Sequence, residues 1–205
     1  HDASNVGAAE LVCISTAIPP HNPEVRAAAA AGLAVLRRAD LLAALCRLRA
    51  TVAVAGTHGK TTTSSMLALI LVEAGVRPSF LIGGDLNEIG TGAAWDAGEL
   101  FVVEADESDG TFLKLKSTCA VVTNIDPEHL DHYGEFEAVK KAFRDFVENI
   151  PFYGFAVLCT DHPEVQALIP RIADRRIITY GLGGTADVLA INLDRKSTRL
   201  NSSHV

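Results

Sequence analysis

VAVAGTHGKTTTSS, Val52–Ser65, reads as an apolar strand that runs into a glycine–lysine–threonine turn and then a hydroxyl-rich helix start. A bound phosphate needs backbone N–H donors that converge, and so needs glycine where the chain turns sharply. It gains further from the partial positive charge of a helix N-terminus. Gly56 and Gly59 stand at such a turn, with Thr57 and His58 between them. Lys60 adds a charge that can reach outer phosphates, and the hydroxyl of Thr61 or Thr62 can complete a Mg²⁺ shell, so magnesium-ATP suits this chemistry. The full pattern GxxxxGK[ST] fails at its first glycine, where Val54 stands. Two readings therefore stay open for the stretch alone: a phosphate cradle, or a glycine-rich turn with an exposed lysine.

Working outward, LFVVEADESDG (Leu100–Gly110) carries an apolar strand straight into Glu104, Asp106, Glu107 and Asp109. Ligand crevices of open parallel sheets lie beyond the carboxyl ends of the strands, which makes Glu104 the first candidate to hold metal beside the phosphates. A solvated acidic loop is the other reading, and it fits Glu107 and Asp109 better than Glu104. AVVTNIDPEHLDHYG (Ala120–Gly134) repeats the plan, ending in Asn124, Asp126, His129, Asp131 and His132. His129 there is either a ligand for a second divalent ion or a surface histidine. His1, His21, His162 and His204 have no comparable context.

Short apolar runs alternate with helical stretches throughout. The strands expected are ELVCIS, LAVL, TVAVA, SFLIG, LFVVE, AVVTNI, FAVLC and RIITY. The helices expected run from Pro23 to Ala31, Arg38 to Leu48, Lys60 to Ala74 and Glu135 to Asn149. This rhythm predicts an α/β protein, with a partial Rossmann-like unit over 1–49 and then a P-loop-type, mostly parallel sheet with flanking helices over 50–193. Residues 194–205, DRKSTRLNSSHV, lose both hydrophobic periodicities and read as a non-native or disordered tail.

The chain has 205 residues, 48% of them hydrophobic and 21% charged, an ordinary globular composition. A net charge of −7 gives no electrostatic footprint for nucleic acid or an anionic membrane. Cys13, Cys46, Cys119 and Cys159 form no CxxC pair, and three of them sit in strand-like runs. They read as reduced core thiols of a cytoplasmic protein. No apolar run reaches the roughly 20 residues of a membrane span. The chain begins HDASN without a methionine, so the natural N-terminus is expected upstream of His1.

GTHGKTTTS, GGDLNEIGTGA, EADESDGTFL and TNIDPEHLDHYG, in that order and at these spacings, resemble the Mur ligases, and most of all their alanine-adding branch. HDASNVGAAELVCISTAIPPHNPEV resembles the end of that family's uridine-nucleotide-binding domain, so the likeness covers about Asp2 to Leu193. The missing P-loop glycine is itself typical of the family. The murein tripeptide ligases share GTHGKTTT but more usually carry tyrosine where Ser108 stands; a P-loop ATPase or a nucleotide-binding module without ligation are the other readings.

The resemblance implies ATP-driven amide formation between UDP-N-acetylmuramate and L-alanine in peptidoglycan precursor synthesis. The muramyl carboxylate would attack the γ-phosphate, and the alanine amine would then displace phosphate from the acyl phosphate. Carried over residue by residue, it implies that Gly56 to Thr62 wrap the phosphates of ATP and that Lys60 neutralises β/γ charge. Thr61 and Glu104 would hold Mg²⁺, and His129 a second ion shared with the substrate carboxylate. His58, Asn124 and the Thr91–Gly92 turn would lie near the muramyl sugar. Alanine would be bound by a C-terminal domain outside this chain, which alone would be inactive in ligation.

Overall fold

The computed structural model describes residues 1–86, 90–184 and 186–191; residues 87–89 of the DLNEIGTG stretch and the tail expected over 194–205 lie outside that range. The chain begins with a small unit: β1 (Leu11–Ile14), α1 (Pro23–Ala30), β2 (Ala34–Arg37) and α2 (Arg38–Leu45). Its two strands pair in parallel, Leu11 opposite Ala34. Asn22 starts α1 because its side-chain oxygen accepts the Glu24 N–H at 2.9 Å and Pro23 occupies the first helical position, where no N–H is needed.

A larger body follows. Its elements are β3 (Ala50–Ala55), α3 (Lys60–Glu73), β4 (Ser79–Leu86), β5 (Thr91–Ala94), β6 (Leu100–Glu104), β7 (Cys119–Val122), α4 (Leu130–Tyr133), α5 (Phe136–Glu148), β8 (Phe155–Cys159), α6 (Pro163–Leu168), β9 (Arg176–Gly181) and β10 (Val188–Leu189). The strands lie in the order β10-β9-β8-β7-β3-β6-β4-β5, all parallel except the β4–β5 pair. The α/β architecture and the mostly parallel sheet agree with the reading of the sequence. β3 sits between β6 and β7, where successive connections turn from one side of the sheet to the other. Ligand crevices of open parallel sheets form at such a switch point.

The central strands are buried on both faces, which is why they read as continuous apolar runs. On one face Ala53, Ala55, Val103, Ala120 and Val122 pack against α5 and the 3-10 turn Thr111–Lys114. α5 presents Val139, Ala142, Phe143, Phe146 and Val147 inward at helical spacing, and Phe112 stacks on Phe146 with ring centres 5.0 Å apart. On the other face Ala68 of α3 meets Phe80, Ile82 and Val102.

α2 joins the two units. Leu42 and Leu45 pack against the central core, buried Cys46 enters it, and Lys114 reaches Asp40 at 2.7 Å. The carboxyl ends of β1, β2 and β6 thus frame a cleft of about 270 Å³ between the units, lined among others by Thr16, Arg37, Arg38, Glu104 and Asp109.

Three expectations need correction. AVVTNI leaves the sheet after Val122, because Thr123 to Ile125 turn toward the end of β3. Helix α2 stops at Leu45 rather than Leu48. The cysteines are not all core thiols: Cys13 is exposed and Cys159 half-buried, whereas burial pushes Cys46 and Cys119 up to about 11. No described helix is long and apolar enough to cross a membrane.

Candidate active site

β3 ends at Ala55 and the chain enters the turn Gly56–Gly59. Gly56 has φ +140°, and a Cβ there would land on the Thr123 hydroxyl. Gly59 adopts a left-handed φ of +80° as the residue before α3 and offers no side-chain cap. The first-turn N–H groups of this 14-residue helix therefore point outward with no side chain of the cap residue to satisfy them, the arrangement that favours an anion. Lys60 and Thr61 open the helix, and Thr62 is exposed one residue further on.

The Ala120–Gly134 stretch braces this turn. Asn124 spends its side-chain amide on the His58 backbone, Oδ1 accepting the N–H at 2.7 Å and Nδ2 donating to the carbonyl at 2.9 Å. Thr123 donates its hydroxyl to the same carbonyl at 2.7 Å, and the Asp126 N–H donates to the Thr57 hydroxyl at 2.8 Å. Departure of Thr123–Ile125 from the sheet is what permits these bonds. The His58 ring faces solvent, with Nε2 3.8 Å from Asp126 and 3.5 Å from Glu128. His162, to which sequence reasoning assigned nothing, lies 3.4 Å from the other Asp126 oxygen.

Glu104, the last residue of β6, turns its carboxylate to the helix start. Both of its oxygens lie 3.1 Å from the Thr61 hydroxyl, and Oε2 also accepts the Gly83 N–H at 2.8 Å. A Cβ on Gly83 would sit 2.9 Å from that oxygen, so the doubled glycine at the end of the SFLI strand admits the carboxylate. Sequence reasoning overlooked Gly83, though Gly83–Gly84 straight after an apolar run was its signal. Thr61 and Glu104 bring together hard oxygen donors beside an anion-binding helix end. That set fits magnesium, which takes one or two protein oxygens and fills the rest of its shell with phosphate and water. Among the described residues no three His, Cys, Asp or Glu side chains converge as a complete metal cage.

Glu107 is the residue that sequence reasoning placed wrongly. It is 1% exposed rather than solvated, and its carboxylate meets the Lys60 ammonium at 2.9 and 3.0 Å. Its signal was parity: Val103, Ala105 and Glu107 alternate inward while Asp106 points out. His129, left-handed at φ +56° just before α4, lies with Nε2 3.7 Å from Glu107. Tyr133 donates its hydroxyl to the Glu107 carbonyl at 2.6 Å. Burial, and then the charges of Glu107, Asp109 and Asp106, push that phenol up to about 12, so it stays a donor at any ordinary pH. Burial pushes the Asp109 carboxyl upward, but hydrogen bonds from Thr111 outweigh it and hold the group below its ordinary value.

Lys60, Thr61, Glu104, His58, Asn124 and His129 therefore gather at the carboxyl ends of β3, β6 and β7. Thr91 and Gly92 lie on the antiparallel edge strand β5, against the glycine end of β4 whose Gly83 N–H binds Glu104. Thr91 bonds to Ala93 there, and Gly92 packs so closely on β4 that a Cβ would strike the Gly84 carbonyl at 2.5 Å.

The Mur ligase middle domain matches residues 54–205, and the catalytic domain of the Mur ligase family matches residues 1–50. UDP-N-acetylmuramate–L-alanine ligases from Phenylobacterium zucineum and Rhodospirillum centenum are each 61% identical to the chain, over 193 and 194 residues, or 94% and 95% of it. The chain spans 40% of the length of either. Among solved structures, the UDP-N-acetylmuramate–L-alanyl-γ-D-glutamyl-meso-diaminopimelate ligase of Neisseria meningitidis superposes with a TM-score of 0.73. It is 28% identical, with 87% of this chain and 61% of that one covered. The UDP-N-acetylmuramate–alanine ligase of Thermotoga maritima gives 0.72 at 26% identity, covering 90% and 41%.

Proposed function

The chain belongs to the Mur ligase family, and from that premise we propose that it forms the nucleotide and sugar-nucleotide portion of a UDP-N-acetylmuramate–L-alanine ligase of peptidoglycan synthesis. Residues 1–49 are the end of the UDP-sugar-binding domain and residues 50–193 the central ATPase domain. One observation carries the reading: Glu104 joins the Thr61 hydroxyl at the start of an uncapped helix and at the same time lines the cleft between the two units. A nucleotide phosphate on one side and a sugar nucleotide on the other would meet there. The 61% identity to alanine-adding ligases favours L-alanine as the second substrate.

In this reading the turn Gly56–Thr62 wraps the ATP phosphates, and Lys60 neutralises charge as the γ-phosphoryl group moves to the lactyl carboxylate. ADP leaves, the amine of alanine attacks the acyl carbon, and inorganic phosphate departs as the amide forms. Such transfer depends on positioning and charge neutralisation. Thr61 and Glu104 would hold magnesium, which when bound supplies Lewis-acid neutralisation of the phosphate oxygens. His129 would serve a second ion shared with the substrate carboxylate, Asn124 fixes the turn through the His58 backbone, and His58, Thr91 and Gly92 border the muramyl sugar. The anionic diphosphate is complemented by Arg37 and Arg38 in the cleft. The free buried thiols of Cys46 and Cys119 support a reducing, cytoplasmic setting.

The test is ADP formation by the ligase that carries this chain. Turnover is expected to require UDP-N-acetylmuramate and L-alanine together, and Glu104→Gln is expected to lower kcat by about 10²–10³. ADP release without the sugar nucleotide would favour a plain ATPase. Turnover with L-alanyl-γ-D-glutamyl-meso-diaminopimelate in place of alanine would favour the tripeptide ligase.

A further inference from the structure

Lys60 is fully engaged by groups of the chain itself. An ammonium has three N–H donors, and here they meet the Gly56 carbonyl at 2.8 Å, the Thr57 carbonyl at 3.3 Å and the Glu107 carboxylate at 3.0 Å. The two carbonyls belong to the turn itself and stay with it. Glu107 is different, because it comes from the loop after β6 and is the carboxylate that pairs with Lys60 among the described residues. Its side chain is 2% exposed and that of Lys60 14%, so water screens the pair poorly. A phosphate oxygen that seeks Lys60 must replace one of these three acceptors, and the anion it competes with is Glu107.

We propose that Glu107 is a holding partner of Lys60: a positioning residue that keeps the ammonium against the turn and gives it up when a nucleotide phosphate enters. The inference rests on the nucleotide reading of the turn. Glu107 is itself well anchored, since its backbone carbonyl accepts the Tyr133 hydroxyl at 2.6 Å and the Gly110 N–H at 3.1 Å. Release therefore moves Lys60 rather than the loop. Once uncovered, the carboxylate faces His129, whose Nε2 already stands 3.7 Å away, so phosphate arrival at one strand end is felt at the next.

Holding Lys60 in a state that does not contact phosphate lowers apparent nucleotide affinity by the fraction of time Lys60 is free. Removing the holder should therefore tighten binding, and only while Lys60 is present. Fluorescently labelled ADP with magnesium chloride is titrated into the chain as wild type, Glu107→Gln, Lys60→Met and the double variant, with melting temperature followed for each. Glu107→Gln is expected to bind roughly three- to tenfold more tightly than wild type. In the Lys60→Met background the same change should have no effect, and Glu107→Asp, which keeps the charge at shorter reach, should tighten binding by less than Glu107→Gln does. Unchanged or weaker binding by a folded Glu107→Gln overturns the proposal. So does tightening that persists undiminished with Lys60→Met, since that is bare removal of a negative charge. If Glu107→Gln does not fold, Glu107→Asp decides alone: its shorter carboxylate should loosen the hold and tighten binding part of the way, and no change overturns the proposal. Failure of the wild type to bind ADP overturns the nucleotide reading and this inference with it, whereas binding that ignores Glu107 overturns this inference only.

Discussion

A methyl group on Gly56 has nowhere to go. The residue sits at φ +140°, and the added carbon would meet the Thr123 hydroxyl that secures the His58 carbonyl. Gly56→Ala is thus expected to cost about 1–3 kcal/mol from the backbone alone, read as a lower urea midpoint, and to weaken nucleotide binding by pushing the turn off its brace. Gly32, which is also left-handed but meets nothing within 4 Å, should bear alanine with less effect and makes the control. At this scale the sequence was informative wherever a residue type has few uses: Lys60 after glycine, Glu104 at a strand end. It was least informative where burial decides. Glu107 and Asp109 look alike in EADESD, yet one is sealed beneath the turn and the other rims the cleft, and only the inward parity after Val103 separates them.

Among elements, α5 bears most of the packing on one face of the sheet. Phe143 and Phe146 are buried at 0% and 1% exposure, and both rings touch Phe112 from the 3-10 turn after the acidic loop. Phe146→Ala is expected to destabilise the body by about 3–5 kcal/mol, measured by urea unfolding. Because Phe112 follows Glu107 by only five residues, the same change should loosen the loop that holds Lys60. Long elements were plain in the sequence, α5 from its periodicity and α3 from the glycine turn before it and Gly75 after it. β5 was not, because Thr91–Ala94 is a short, glycine-containing edge strand whose pairing with β4 depends on close backbone approach at Gly92 rather than on β-branched residues. The end of AVVTNI was misjudged for a related reason: Thr123–Ile125 look like strand, but their polar groups are worth more to the P-loop turn than to the sheet.

On the scale of the whole molecule, the ends of β1, β2 and β6 frame one cleft, and Glu104 at the end of β6 also reaches the start of α3. The two units are held there by the α2 leucines and the Lys114–Asp40 pair. Glu104 thus links the cleft that holds Arg37 and Arg38 to the Thr61 hydroxyl and the turn proposed to take phosphate. The chain spans 40% of its alanine-ligase relatives' length, and the residues proposed to wrap the nucleotide phosphates, Gly56–Thr62, lie within it. The chain by itself is accordingly expected to bind nucleotide while forming no amide bond. Calorimetric titration of magnesium-ATP into residues 1–205, beside the Lys60→Ala variant, is the most direct test. Saturable binding that weakens at least about tenfold on losing Lys60, in a variant that still melts cooperatively, is the expected result. Equal affinity in the two proteins would contradict the account, as would no binding by a folded wild type.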